Sequence, residues 1–305
     1  MQHFLSVNDL SMQEIETILG WATTVEQQWE FCRSSNNKCI ASFFGEPSTR
    51  TRFSFERAAQ WLGGRVITAA DASSSSSLTK GESMKDTFRT LGQYADLIVM
   101  RHKDETWPDA ARKYSRVPVI NAGSGTGEHP TQALLDLHTM RQQFGNLDGL
   151  KVMLCGDLLN GRTVHSLANL LSLYGCKIVL CPSQLTNDRV RVPLNMPDKY
   201  RIRPFEIVNL EDANDALPDI DVIYMTRFQK ERYHMAPNGG VEYFRLDASN
   251  INRVKKTAAI LHPLPRNEEI AEEIDDDPRA AYHERQVRNG VYVRVALLDY
   301  LLYRG

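Results

Sequence analysis

The sequence predicts an α/β protein of two domains, each a mostly parallel sheet flanked by helices. Short apolar runs of strand length alternate with helical patterns along the chain, as βα units do. Several runs, such as Cys39–Phe44 and 95–100, are continuously apolar, which suits strands covered on both faces. The length, 305 residues, accommodates about two domains.

Taken in order, Ser11 with Glu14 three residues on opens an amphipathic helix over 12–31. Strand Cys39–Phe44 follows, closed by Gly45 and Pro47, and a helix over 53–62 stops at Gly63-Gly64. Between them lies Ser48-Thr49-Arg50-Thr51-Arg52. Where a strand hands over to a helix, unpaired N–H groups and the positive end of the helix dipole favour an anion. The hydroxyls of Ser48, Thr49 and Thr51 and the guanidiniums of Arg50 and Arg52 add donors suited to phosphate. The plainer reading is a hydroxyl cap with two solvated arginines.

A short strand at 65–68 leads to five consecutive serines, 73–77. Such runs are usually linkers. This one is followed at once by Lys80 and a helical stretch to Tyr94, so it reads as a mobile loop within a domain, suited to closing over an anion. A central strand at 95–100 ends at Arg101 and His102; helix Trp107–Tyr114 and a strand at 117–121 complete the first array. A glycine-rich turn, 123–127, then leads to His129-Pro130-Thr131-Gln132 and a helix to Phe144, with Pro130 in its first turn. The domain boundary is placed there: 1–128, joined by a C-terminal helix at 288–305 packing back on it, and 129–287.

The second array predicts strands at 150–155, 177–181, 205–208, 221–225 and 257–261, with a helix at 164–174. Arg162 follows the first of these, Arg227 and Gln229 leave the fourth, and His262-Pro263-Leu264-Pro265-Arg266 leaves the last. Two prolines around Leu264 restrict the backbone, and a cis bond at Pro265 is expected. Asp275-Asp276-Asp277 reads as a solvated cluster.

Composition narrows the function. Apolar and charged fractions of 42% and 24% are those of an ordinary globular protein. Thirty-six basic against 38 acidic residues argue against nucleic acid as the main partner. Five cysteines (32, 39, 155, 176 and 181) show no metal spacing, as expected of reduced thiols in a cytoplasmic protein. No basic leader or apolar run of about 18 residues is evident, so neither export nor a membrane span is expected.

Ligands of open parallel sheets gather at the C-terminal ends of the strands. Arg50, Arg101, Arg162 and Arg227 all fall there, with Lys80 on a loop. No Ser-His-Asp arrangement or metal-ligand cluster accompanies them, so the site suits a small ligand with several negative charges. Gly156-x4-Gly161-Arg162-Thr163 approaches a P-loop, but Arg162 replaces its Lys and no Mg²⁺-binding Asp stands at a strand end. His129 reads equally as a core histidine or a site residue.

These stretches, in this order, resemble the catalytic chains of the aspartate carbamoyltransferases over essentially the full length. The matching residues are 48–52, Leu78-Thr79-Lys80-Gly81-Glu82, Met100-Arg101-His102, 129–132, 161–166, 226–232 and 262–266. Ornithine carbamoyltransferase is the alternative; it typically has Cys where this chain has Thr131 and Pro263, and Arg227-x-Gln229 suits an acidic side chain.

The resemblance implies a cytoplasmic transferase of pyrimidine biosynthesis that makes N-carbamoyl-L-aspartate from carbamoyl phosphate and L-aspartate. It implies a carbamoyl phosphate-binding first domain and an aspartate-binding second one, with no metal or organic cofactor. Ser48, Thr49, Arg50, Thr51 and Arg101 would hold the phosphate, with Ser77 and Lys80 from a neighbouring subunit of a homotrimer. The unbroken serine run departs from the family pattern, and Ser77 is taken as the contacting serine. Thr51, Arg101 and His129 would donate to the carbonyl oxygen, and Gln132 and the carbonyls of Leu264 and Pro265 would orient the carbamoyl group. Arg162, Arg227, Gln229 and Lys80 would hold L-aspartate. The resemblance leaves open whether regulatory chains join the trimer.

Overall fold

The computed structural model describes residues 2–28, 37–185, 205–229 and 241–303. The end of the first predicted helix, Cys32 and the stretch 230–232 lie outside the described residues. The chain divides into two compact units, one up to Leu135 with Val287 onward, the other Asp136–Gln286.

In the first unit, β1 (Cys39–Phe44), β2 (Arg65–Ala69), β3 (Leu97–His102) and β4 (Val119–Ser124) form a parallel sheet in the order β2-β1-β3-β4. The register sets Phe44 beside Arg101, so the exits of β1 and β3 are neighbours. On one face Ala41, Phe43, Ile98, Met100 and Val119 pack with Phe88 of α4 (Met84–Tyr94) and Trp107 of α5 (Trp107–Tyr114). The Phe88 and Trp107 rings lie 6.1 Å apart and both are fully buried; each such side chain contributes about 1.5–3 kcal/mol or more by burial.

The C-terminal helix, Arg285–Tyr303, packs back on this unit as predicted. Tyr292 meets Trp61 of α2 (Thr49–Trp61) edge-on, and the Arg294 guanidinium lies 5.0 Å from the Phe55 ring centre. It also ties to the start of α1 (Met12–Gln28). Ser11 and Glu14 form the predicted capping box, with the Ser11 N–H donating to Glu14 at 2.7 Å, and Tyr300 donates to the same carboxylate at 2.8 Å. These bonds, led by the Ser11 amide, hold the Glu14 carboxyl down at about 2.

The serine run differs from its prediction. It forms a helical turn, α3 (Ala72–Ser75), and a 3₁₀ turn over Ser77–Lys80. Its hydroxyls turn inward onto the backbone: Ser75 donates to Asp71 O (2.5 Å), Ser76 to Ala72 O (2.5 Å) and Ser73 to Gly45 O (2.6 Å). Serine hydroxyls so placed substitute for the tertiary contacts that apolar side chains would supply.

The second unit contains the parallel sheet β11-β9-β5-β6-β8, built from β5 (Lys151–Gly156), β6 (Lys177–Pro182), β8 (Phe205–Ile207), β9 (Val222–Met225) and β11 (Ala259–Leu261). A small antiparallel ribbon pairs β7 (Gln184–Leu185) with β10 (Val241–Glu242). Met153, Cys155, Val179, Cys181, Ile223 and Met225 form one core face with Leu246, Ile260 and Tyr282. The four described cysteines are free thiols, and all but Cys39 are buried. No helix among the described residues is long and apolar enough to cross a membrane.

Two further differences from the sequence reading are physical. The division falls inside α6 (Pro130–Phe144), at Leu135 and Asp136, rather than ahead of it at 128/129. No Gly or Pro interrupts that helix after its first turn, so it continues unbroken from one unit into the other. The acidic run is not simply solvated: Asp275 pairs with Arg266 and receives the Tyr282 hydroxyl at 2.6 Å, and Asp277 pairs with Arg279 at 2.6 Å.

His138 on α6 is buried, and its Nε2 has no hydrogen-bond partner. Burial, with the nearby Arg141 charge, pushes it down to about 4. Between the ordinary histidine range and that value the unfolded chain takes up a proton that the folded chain refuses. Stability is therefore full above about pH 6.5 and falls as pH drops, by about 2 kcal/mol from this group by pH 5. His138→Phe should remove that part of the loss when urea unfolding is compared at pH 7 and pH 5. An unchanged loss would show that His138 is protonated without penalty in the folded chain.

Candidate active site

In the first unit the site begins where β1 ends. The Gly45 N–H extends the ladder by donating to Arg101 O at 2.7 Å. A Cβ at Gly45 would lie 2.6 Å from the His102 ring and 2.8 Å from Ser73 Oγ, so only glycine fits this close approach. The chain then turns through Glu46 and Pro47 to Ser48, the extended N-cap of α2 (φ −161°, ψ 104°). The Ser48 hydroxyl makes no capping bond, and the first turn of α2 carries no acidic side chain. The helix end thus keeps its partial positive charge and its outward-facing donors. Thr49 and Arg50 are exposed there, whereas Thr51 is buried.

Two other segments converge on this turn. Arg101, placed by the β1–β3 register, brings its Nε to 3.4 Å from the Glu46 carboxylate. His129, just before Pro130 at the start of α6, is buried with Nε2 3.5 Å from Thr51 Oγ1 and Nδ1 3.4 Å from Thr131 Oγ1. Its carbonyl accepts the Gln132 N–H at 3.0 Å, which puts Gln132 in the same helix start. His129 is thus buried between the hydroxyls of Thr51 on α2 and Thr131 on α6. His102 is different. It lies beneath Gly45, its Nδ1 accepts the Asp104 N–H at 3.1 Å, and burial lowers its pKa.

Ser77 and Lys80 are exposed on the 3₁₀ turn. The loop serine that reaches the cradle within this chain is Ser73, through the Gly45 carbonyl.

In the second unit Gly156 has φ +109°, and a Cβ there would overlap the Thr226 backbone, 2.0 Å from its carbonyl oxygen. That approach brings the turn after β5 against the exit of β9. Asp157 then knits the two together, accepting the Asn160 N–H at 3.0 Å and the Gln229 N–H at 3.2 Å. Gln229 Nε2 returns a bond to Asn160 O at 2.9 Å. Arg162 opens α7 (Arg162–Leu173) and is buried; His165, one turn on, donates from Nε2 to Leu158 O at 2.9 Å. Arg162, Arg227 and Gln229 are therefore mounted around one turn. The P-loop likeness fails on the same geometry, since the Asp157 carboxylate takes loop N–H groups that a phosphate would need.

At the exit of β11, the Leu264–Pro265 bond is cis and Leu264 has φ +54°. His262 Nδ1 accepts the Leu264 N–H at 2.8 Å, so its Nε2 carries the proton donated to Glu269 at 2.8 Å. Burial drives the Glu269 carboxyl up, but bonds from His262 and the Asn267 N–H outweigh it, leaving the pKa below its ordinary value. Glu46, Ser73, Asp157 and Glu269 were not singled out from the sequence. Of these Glu46, between Gly45 and Pro47, and Asp157, between Gly156 and Gly161, lie inside glycine-marked turns, and Ser73 inside the serine run; Glu269 has no such signal.

Fold and site define a class: two-unit parallel α/β proteins with an anion cradle on one sheet and clustered arginines at the exits of the other. Residues 2–142 match the model of the aspartate/ornithine carbamoyltransferase carbamoyl-P binding domain, and residues 148–301 that of the Asp/Orn binding domain. The chain belongs to the aspartate/ornithine carbamoyltransferase family. It is 44% identical to the aspartate carbamoyltransferase catalytic subunit of Lachnoclostridium phytofermentans, covering 99% of this chain and 98% of the relative. The corresponding subunit of Thermococcus gammatolerans is 42% identical, covering 98% and 96%. Among solved structures, Trypanosoma cruzi aspartate transcarbamoylase with aspartate and phosphate superposes with a TM-score of 0.87 at 33% identity, covering 98% of this chain and 95% of that one. The catalytic subunit of the M. jannaschii enzyme gives 0.85 at 39% identity, covering 99% and 98%.

Proposed function

We propose that this chain is an aspartate carbamoyltransferase, transferring the carbamoyl group of carbamoyl phosphate to L-aspartate. The products are N-carbamoyl-L-aspartate and phosphate, a step of pyrimidine biosynthesis. The observation that carries the reading is the convergence of Thr51, Arg101 and His129 on an anion-favouring helix start. Relatives of the same family bind carbamoyl phosphate, aspartate and phosphate in their structures.

In this reading the phosphate lies on Ser48, Thr49, Arg50, Thr51 and Arg101. His129 Nδ1 stands 3.4 Å from the Thr131 hydroxyl; in the tautomer where that hydroxyl donates, Nε2 carries the proton and joins Thr51 and Arg101 as a donor to the carbonyl oxygen. These donors stabilise the oxyanion of the tetrahedral intermediate. Gln132 and the carbonyls of Leu264 and Pro265 orient the carbamoyl NH₂ and the incoming amine. Arg162, Arg227, Gln229 and Lys80 hold the two carboxylates of L-aspartate. Its neutral α-amine attacks, the new C–N bond forms, the C–O bond to phosphate breaks, and phosphate departs with the amine proton. Positioning and charge stabilisation supply the catalysis.

A homotrimer completes the site, Ser77 and Lys80 entering from a neighbouring subunit. Both side chains are exposed in the single chain, as residues awaiting a partner's ligand would be. The working compartment in this reading is the cytoplasm.

The direct test is formation of carbamoylaspartate and phosphate by the purified chain, with ornithine as control. Ornithine's ammonium beside Arg227 is an unpaired like-charge contact, so no citrulline is expected. Citrulline at a comparable rate would transfer the chain to the other branch of its family.

Arg101→Ala should lower kcat by about a hundred- to a thousandfold, because it removes a donor to a charge that develops fully only near the transition state. An unchanged kcat with only a higher carbamoyl phosphate requirement would confine Arg101 to substrate binding.

Arg50→Ala and Lys80→Ala trimers should each be nearly inactive alone. Unfolded, mixed equally and refolded, they should recover about a quarter of native activity, since random head-to-tail assembly gives about that share of sites with both native residues. Mixed trimers no more active than their parents would mean that each chain builds its site alone.

A further inference from the structure

A continuous hydrogen-bond path runs through the second unit, linking side chains that take no substrate role in the reading above. It starts at Thr163, next to Arg162, whose hydroxyl bonds the Tyr224 hydroxyl. Tyr224 lies on β9 three residues before Arg227, and its hydroxyl donates to Asp136 Oδ2 at 2.8 Å. Asp136 Oδ1 receives the Gln286 side-chain N–H at 2.7 Å. The Gln286 side-chain oxygen, Oε1, accepts the His262 backbone N–H at 2.9 Å. His262 in turn fixes Leu264 through Nδ1 and anchors on Glu269 through Nε2, both at 2.8 Å. Tyr224 and Asp136 are fully buried, and His262, Gln286 and Glu269 nearly so.

The path touches the three segments that carry the second-substrate groups: the start of α7 with Arg162, the exit of β9 with Arg227, and the loop with Leu264 and Pro265. These segments are far apart in sequence, and each ends a different secondary element. Buried polar networks of this kind hold their members in one geometry, because any shift leaves a donor or acceptor unpaired in a low dielectric. Leu264 shows the effect locally, its left-handed backbone held by the bond from its N–H to His262.

We propose that Tyr224, Asp136 and His262 are positioning residues for the second substrate, a relay that locks Arg162, Arg227 and the Leu264–Pro265 carbonyls into mutual register. The inference rests on the functional reading above, in which Arg162 and Arg227 receive L-aspartate and the Leu264–Pro265 carbonyls orient the incoming amine beside the carbamoyl NH₂. None of the three relay residues reaches substrate; they act through the segments they join. The first-unit groups that hold the phosphate, Ser48 to Thr51 and Arg101, lie off the path; only its Leu264 end meets the carbamoyl group.

The test uses the full-length chain with Tyr224→Phe, which keeps the ring in the core and removes only the hydroxyl. A second variant, His262→Asn, keeps an acceptor for the Leu264 N–H and loses the bond to Glu269. Each should raise the KM for L-aspartate about tenfold or more, and Tyr224→Phe, removed from the Leu264 loop, should leave the KM for carbamoyl phosphate within about twofold. The double variant should fall clearly short of the product of the single effects, as members of one network do.

An unchanged aspartate KM in both variants would overturn the relay. Equal rises in both KM values alongside a large loss of melting temperature would also overturn it, reducing these residues to fold stability. Fully multiplicative effects would show two independent supports. A wild-type chain that makes no carbamoylaspartate would defeat the functional reading and the relay with it; active wild type with indifferent variants would defeat the relay alone.

Discussion

The structure depends on backbone approaches too close for any side chain, made at the C-terminal ends of two parallel sheets. Gly45 donates to the Arg101 carbonyl at 2.7 Å with the His102 ring against its Cα, and that approach fixes where β1 delivers the chain to α2. Gly156 meets the Thr226 carbonyl in the same way and brings the Arg162 turn to the Arg227 exit. A Cβ at Gly156 would force the ends of β5 and β9 apart, and one at Gly45 would displace the His102 ring and the Ser73 hydroxyl. The parallel arrangement makes this focus possible, since it sends every strand exit to the same edge of its sheet.

Sites rich in arginine need compensation elsewhere, and buried or half-buried carboxylates supply it. Glu46 faces Arg101, Asp157 takes the N–H groups of its own turn and of Gln229, and Asp136 takes the hydroxyl of Tyr224 and the amide of Gln286. Each is an acceptor whose lone pairs are spent on groups that must not move. In the first unit the serine hydroxyls of 73–76 do similar service at lower charge, turning a sequence with no apolar content into an ordered turn. The donors at the strand exits can then be left facing outward, because the scaffold behind them is satisfied.

Much of the site was legible because its chemistry sits in short contiguous stretches. Ser48-Thr49-Arg50-Thr51 reads as an anion turn from local order alone, since a strand, a glycine and a helix start are all visible in one window. The strands were legible for a similar reason: parallel strands buried on both faces are runs of apolar residues. The ionic partners were not. Arg266 finds Asp275 and Arg101 finds Glu46 through turns whose path no local pattern encodes, so the Asp275–Asp277 run looked merely solvated.

By itself the sequence determined the α/β class, the hydroxyl- and arginine-rich turn at a helix start, the arginines at strand exits and the return of the C-terminal helix. These follow from periodicity and from the chemistry of neighbouring residues, which a linear string records. The tertiary structure alone decided which serine of five meets Gly45, which way the His129 ring faces, and where α6 passes from one unit to the other. It alone joined Thr163, Tyr224, Asp136, Gln286 and His262 into one path. Identical or distant residues carry no local signal that separates them; only the packing of strands and helices, by bringing a particular carbonyl or carboxylate within 3 Å, selects one.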